Sequence, residues 1–244
     1  MLKNMERLDK ILTERGFGSR KEVQKLIRSG AVTVNGETCK KPDTKLDLQK
    51  DEVTASGRAV GADKYIYIMM NKPAGVVSAT QDNRDKTVID ILPAEYKRPG
   101  LFPAGRLDKD TEGLLIITND GDFAHKMLSP SKKVYKQYEA ELDGEITDDI
   151  IRAFKEGIVF SDGTKCLPAE LRFADEKDKN KAVVKICEGK FHQVKKMFSS
   201  CGLRVVHLKR ISIGNLYLSS KLTIGSCKLL TKLDIEAIFM GNIH

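Results

Sequence analysis

Residues 103–121 read PAGRLDKDTEGLLIITNDG. Leu114 to Ile117 form an unbroken apolar run of strand length, which predicts a buried strand over Gly113–Thr118. Asn119-Asp120-Gly121 ends the run with a turn. A polar segment, Lys109 to Gly113, leads into it. Alternation in the extended loop before that segment would point Arg106 and Asp108 the same way, with Leu107 between them, close enough to ion-pair. From spacing alone this is an ordinary salt bridge, and Asp120 an ordinary turn-former.

On the N-terminal side, KYIYIMMNKPAGVV is a strand-like apolar run ended by Pro73 and Gly75. Further strands are predicted at Tyr138–Leu142, Ala182–Ile186 and Val205–Leu208, and helices at Asp122–Leu128, Asp148–Glu156 and His192–Cys201. Strands outnumber helices and arrive partly in succession, so the class is α+β with mixed or antiparallel pairing.

The N-terminal fifty residues have a different texture. Residues 6–16 (ERLDKILTERG) set Leu8, Ile11 and Leu12 on one helical face and end at Gly16. Ser19 and Glu22 make a capping box for a second helix through Val23, Leu26 and Ile27, whose other face offers Arg20, Lys21, Lys25 and Arg28. AVTVNGE then alternates into an Asn35-Gly36 turn, a hairpin signal. Residues 55–63 (ASGRAVGAD) are small and unpatterned and read as a linker. The expected organisation is therefore residues 1–54 as a small domain, 55–63 as linker and 64–244 as a second domain.

The 244 residues carry 42 Lys and Arg against 34 Asp and Glu, a formal charge of +8. The excess concentrates in two places. Residues 1–50 hold twelve basic and seven acidic residues, and residues 187–210 hold six basic and one acidic. Two basic patches favour a polyanion long enough to touch both. No apolar run approaches the roughly 18 residues of a membrane span, and no apolar stretch follows the charges of MLKNMERLDK, so a cytoplasmic protein without a secretory signal is expected. Five scattered cysteines (Cys39, Cys166, Cys187, Cys201, Cys227) and four dispersed histidines exclude a clustered metal site.

SRKEVQKLIRSGAVTVNGE resembles the helix–turn–helix–strand core of the RNA-binding domain shared with ribosomal protein four of the small subunit. That resemblance covers residues 5–50 and implies contact with structured RNA through Arg20, Lys21, Lys25 and Arg28, by phosphate and shape. The stretch 103–121 resembles the catalytic motif of pseudouridine synthases of the RsuA/RluA kind, GRLDxxTxGLLxxTxDG. It is met by Gly105, Arg106, Leu107, Asp108, Thr111, Gly113, Leu114, Leu115, Thr118, Asp120 and Gly121. MNKPAGVVS (Met70–Ser78) resembles the Lys-Pro-x-Gly motif of that family. KQYEAEL resembles its KTYxVxL strand, and EGKFHQVKKMF (Glu188–Phe198) its EGxxHQVKRMF motif. The departures are Gln137 for Thr and Lys196 for Arg.

The resemblance implies an isomerase that cuts the bond between ribose C1′ and uracil N1 and rejoins the base through C5, with no cofactor. It puts Asp108 in the carboxylate role and Lys195 as its basic partner, holding the acid ionised in a closed pocket. Whether Asp108 attacks C1′, adds to C6 or removes a sugar proton stays open. Arg106 is expected to orient the loop and help displace the target base. Tyr138 is expected to stack on the flipped uracil and Val194 to line the other side. His192 and Gln193 would shape their motif or touch RNA, and His125 would contact a phosphate.

The domain order resembles that of the RsuA branch, which implies ribosomal RNA as the substrate. Ser129-Pro130 before the tyrosine strand resembles the small-subunit enzyme, so uridine 516 of 16S ribosomal RNA is the expected target, free or in an assembling subunit. A 23S hairpin uridine is the alternative. A rival from another class is an RNA-binding assembly factor without chemistry, which would have no reason to keep Asp108, Tyr138 and Lys195 together. A monomer is expected.

Overall fold

The computed structural model describes residues 5–61 and 63–240; the leading MLKN of the expected first domain, Ala62 of the expected linker and residues 241–244 lie outside them. The chain divides into two units. One takes the chain up to Ile66 together with Pro93–Leu101, and the other takes Tyr67–Leu92 and everything from Phe102 onward.

The first unit runs β1 (Glu6–Arg7), α1 (Leu8–Glu14), α2 (Arg20–Arg28), β2 (Val32–Val34), β3 (Glu37–Thr38), β4 (Lys45–Leu46), β5 (Val53–Ala55) and β6 (Arg58–Ala59). The capping box forms as expected: Ser19 accepts from the Glu22 amide at 3.4 Å, and the Glu22 carboxylate accepts from the Ser19 amide at 2.7 Å. Asn35 and Gly36 both take positive φ, 52° and 85°, and close the β2–β3 hairpin. Leu8, Leu12, Val23, Ile27, Val32 and Val53 pack into one core. Arg20, Lys21, Lys25 and Arg28 lie exposed on the opposite side of α2.

The expected linker is folded. Ala55 and Val60 belong to that core, and β5 pairs with β6 at Ala55↔Arg58. Ser56-Gly57, both at positive φ, make the turn between them, so small residues taken for slack are a tight hairpin.

The second unit runs β7 (Tyr67–Lys72), β8 (Phe102–Ala104), β9 (Glu112–Thr118), α3 (Gly121–Leu128), β10 (Lys136–Leu142), α4 (Asp148–Glu156), β11 (Glu170–Asp175), β12 (Asp178–Ile186), α5 (Gln193–Ser200), β13 (Val205–Ile213), β14 (Leu216–Tyr217), β15 (Cys227–Leu229) and α6 (Lys232–Phe239). Among the described residues its strands join one nine-stranded mixed sheet ordered β11-β12-β10-β13-β9-β7-β15, with β14 beside β13 and β8 beside β9. Among these described strands β13 and β9 pair in parallel and the other pairs are antiparallel. β9 is central and buried from Gly113 to Thr118, which explains its unbroken apolar run. Asp120 caps α3 by accepting from the Phe123 amide at 3.0 Å and also takes the Tyr67 hydroxyl at 2.6 Å.

Gly113 is where β9 meets β13. A Cβ there would lie 2.3 Å from the Arg210 carbonyl oxygen and 2.8 Å from its nitrogen, and φ is +101°. Neither backbone can yield without breaking the Arg210↔Gly113 register. Gly113→Ala is expected to destabilise this unit by roughly 2–4 kcal/mol, read as a lowered denaturation midpoint. An unchanged midpoint would sink this account of the strand contact.

Candidate active site

The polar residues that line the cleft of the second unit, about 700 Å³, come mostly from four segments, with Val77, Ser78, Pro103, Leu128 and Pro130 completing the wall. The loop before β9 contributes Arg106, Leu107, Asp108 and Lys109, β10 contributes Lys136 and Tyr138, the turn before α5 contributes Glu188 to His192, and β13 contributes Arg210. The order β10-β13-β9 brings these segments, distant in sequence, side by side.

The loop is held through its backbone. Lys72, the last residue of β7, is fully buried, and its ammonium donates to the carbonyls of Pro73 (3.0 Å), Asp108 (3.1 Å), Lys109 (3.3 Å) and Thr111 (2.8 Å). Burial pushes its pKa down to about 8, against a partial lift from Asp110 and Asp108. The Ser78 hydroxyl donates to the Leu107 carbonyl at 2.9 Å and accepts from the Leu107 amide at 3.1 Å. The Gly75 amide donates to the Lys109 carbonyl at 2.7 Å. The Lys-Pro-x-Gly segment thus cradles the Asp108 loop, a role that pattern reading missed for Lys72 and Ser78.

Asp108 keeps a quarter of its side chain open to the cleft. Its carboxylate lies 3.4 Å from Lys195 Nζ and 3.5 Å from His192 Nε2. Arg106 is exposed on the cleft wall, and no ion pair joins it to Asp108 among the described residues. That corrects the expectation from alternation: the acid turns toward α5, whose first turn offers Lys195. Lys195 is shared, because it also sits 2.5 Å from Asp110 and holds that carboxyl below the usual carboxylate range.

Tyr138 is 8% exposed, and its hydroxyl accepts from Arg210 Nη1 at 3.4 Å. Val194 is buried and lines a smaller pocket that shares Asp108, Tyr138 and His192 with the cleft. Gln193 is buried and committed internally: its amide nitrogen donates to Glu188 at 2.8 Å, and its oxygen accepts from the Lys190 amide at 2.9 Å. It shapes the turn. Lys190 also pairs with Glu188. His192 holds φ +54°, unusual for a side-chain-bearing residue, and stacks on Phe191 with ring centroids 3.8 Å apart. His125 is exposed on α3 and is not among the cleft-lining residues. No cluster of potential metal ligands occurs among the described residues.

An acid beside a lysine and a histidine, in a cleft that a strand tyrosine also lines, fits work on a sugar or a base. The profile of the RNA pseudouridylate synthase family matches residues 66–200, more than half the chain. The chain belongs to that family.

The S4 domain profile matches residues 6–53, so this pseudouridine synthase also carries an RNA-binding domain in its first unit. It is 43% identical over 233 residues to an uncharacterised RNA pseudouridine synthase of Bacillus subtilis, covering 95% of this chain and 98% of that one. It is 38% identical to the ribosomal small subunit pseudouridine synthase A of Vibrio parahaemolyticus, covering 96% and 99%. Identity to the ribosomal large subunit pseudouridine synthase B of Bacillus subtilis is 35%, covering 84% of each. No helix among the described residues is long and apolar enough to cross a membrane.

Proposed function

We propose that this pseudouridine synthase acts on ribosomal RNA and isomerises uridine 516 of the small-subunit 16S molecule. The observation that carries the chemical part is the Asp108 carboxylate, within 3.4 Å of Lys195 and 3.5 Å of His192 at a cleft lined by Tyr138. In this reading Lys195 and His192 orient Asp108 beside the ribose of a flipped uridine. Tyr138 stacks on the base and Val194 closes the inner side. Arg106, exposed on the wall, takes the space the base leaves in the RNA, which offsets part of the stacking lost, about a few kcal/mol. Arg20, Lys21, Lys25 and Arg28 hold phosphates of a folded RNA. Isomerisation conserves atoms and electrons, so these residues suffice without a cofactor.

Ser129-Pro130 before β10 and the likeness to the Vibrio small-subunit enzyme support the 16S target. The likeness to the large-subunit enzyme favours a second reading, a 23S hairpin uridine. The two separate on transcripts labelled with tritium at uridine C5, because joining C5 to the sugar releases that tritium to water. About one equivalent from 16S RNA, bare or in partly assembled particles, is expected. Release confined to 23S RNA would overturn the target and keep the chemistry; release from neither would overturn the ribosomal substrate.

A further inference from the structure

The cleft holds two cations that the roles above leave unused. Register sets Arg210 of β13 opposite Tyr138, and Lys136 stands two residues earlier on the same face of β10. Lys136 is 5% exposed and Arg210 4%, and both line the cleft. Arg210 donates Nε to the Leu114 carbonyl at 2.7 Å and Nη1 to Tyr138, and its buried Nη2 has no partner among the described residues. The Lys136 backbone pairs with its neighbouring strands, but no hydrogen bond or ion pair engages its ammonium among the described residues.

Burial first, and then the charge of Arg210, push the Lys136 ammonium down to about 8; the Cys187 thiol beside it acts weakly the other way. Two like charges taken out of water repel each other and forfeit hydration. The acids of the cleft do not compensate. Glu188 is taken by the Leu167 amide, Gln193 and Lys190, and Asp108 faces Lys195 and His192. Unfavourable charge at a site is a mark of function where the missing counter-charge arrives with, or develops on, the ligand.

We propose that Lys136 and Arg210 form an anion-stabilising floor that takes up the negative charge of the uracil ring while it is detached from the ribose; this rests on the reading of the cleft as the uridine site. Heterolysis of the C1′–N1 bond leaves its electron pair on the base, spread over N1, O2 and O4. The ring turns over the Tyr138 face, and a ring pair then forms the C5–C1′ bond. The C5 proton departs and N1 gains one, so the sum is an isomerisation. Through the interval the base is an anion, and a floor of buried cations lowers the barrier to forming it. Lys136 and Arg210 would contact the carbonyl oxygens, while Asp108 serves the sugar.

The test is single-turnover conversion by the full-length protein of ribosomal RNA carrying either uridine or 5-fluorouridine at the target, followed as loss of the N-glycoside. Fluorine makes the ring a better holder of negative charge, so it needs the floor less. Lys136→Met is expected to slow the uridine substrate about 10²–10³-fold with RNA affinity within about twofold. Its deficit on 5-fluorouridine should fall to about tenfold or less, and Lys136→Arg, which keeps the charge, should stay near wild type on both. If the methionine variant does not fold, Lys136→Gln carries the same comparison. Equal deficits on the two bases, or an unimpaired neutral variant, would overturn the floor while leaving the uridine site standing. A wild-type protein silent on every ribosomal RNA would overturn the substrate reading beneath it.

Discussion

Asp108→Asn is expected to slow single-turnover pseudouridine formation by about 10⁴-fold or more. The amide is nearly the same size but cannot act as a base, a nucleophile or a counter-charge. Stability should hardly move, because the pairs Asp108 makes are partly solvent-exposed and 3.4 and 3.5 Å long, and exposed pairs contribute about 0–1 kcal/mol. RNA binding should survive. The control is Asp110→Asn, since Asp110 is the acid closer to Lys195 yet has a largely exposed side chain. It should stay within about threefold of wild type, as expected for loss of a surface pair. A reversal, with the Asp110 variant inert and the Asp108 variant active, would reassign the carboxylate.

Lys72→Met is also expected to have a large effect, and by a different route. The ammonium satisfies four carbonyls from inside the unit, and the thioether cannot. Unmade buried hydrogen bonds cost roughly 1–3 kcal/mol each, partly offset here because a buried charge is removed with them. The loop should loosen, and a displacement of about 1 Å at Asp108 is enough for a hundredfold loss of rate. The variant should bind RNA, turn over at least about a hundredfold more slowly, and show faster amide exchange over 107–111. Normal turnover would mean that the loop is held by Ser78 and Gly75 alone.

The same lysine gives a pH signature, shared with Lys136. Both titrate near 8 in the folded protein against 10.5 for the ordinary side chain. Between those values the unfolded chain binds more protons, so their contribution to stability rises with pH. Activity should move oppositely, falling through about pH 8 as the loop clamp and the cleft floor lose charge. Rate and melting temperature measured across pH 7–10 should therefore diverge.

Local chemistry was the legible part of the sequence. Ser19 and Glu22 cap α2, Asn35-Gly36 turns the first hairpin and Leu114–Ile117 is the central strand, because each is set within a few residues. The β5–β6 hairpin looks like a linker in the sequence because its strands are too short to alternate. β12 begins at Asp178 rather than Ala182: the exposed Lys179, Asn180 and Lys181 carry no burial pattern. In the site, motif order pointed to Asp108, Tyr138 and Lys195. It was blind to what spatial neighbours decide, such as the sharing of Lys195 with Asp110 or the commitment of Gln193 to Glu188. Lys72 escaped because β7 is buried on both faces, so periodicity cannot say which way its last side chain points.

The grip of Lys72 has a consequence for how such an enzyme changes over generations. It touches only main-chain oxygens, so it is indifferent to the side chains mounted on the segment it holds. Positions 109 and 110 carry charges turned outward, Lys109 to Asp85 and Asp110 to Lys195. They are free to be rewritten for a new RNA surface without retraining the backbone that presents the acid between them and Leu107. Reaction and choice of target are thereby inherited as separate traits.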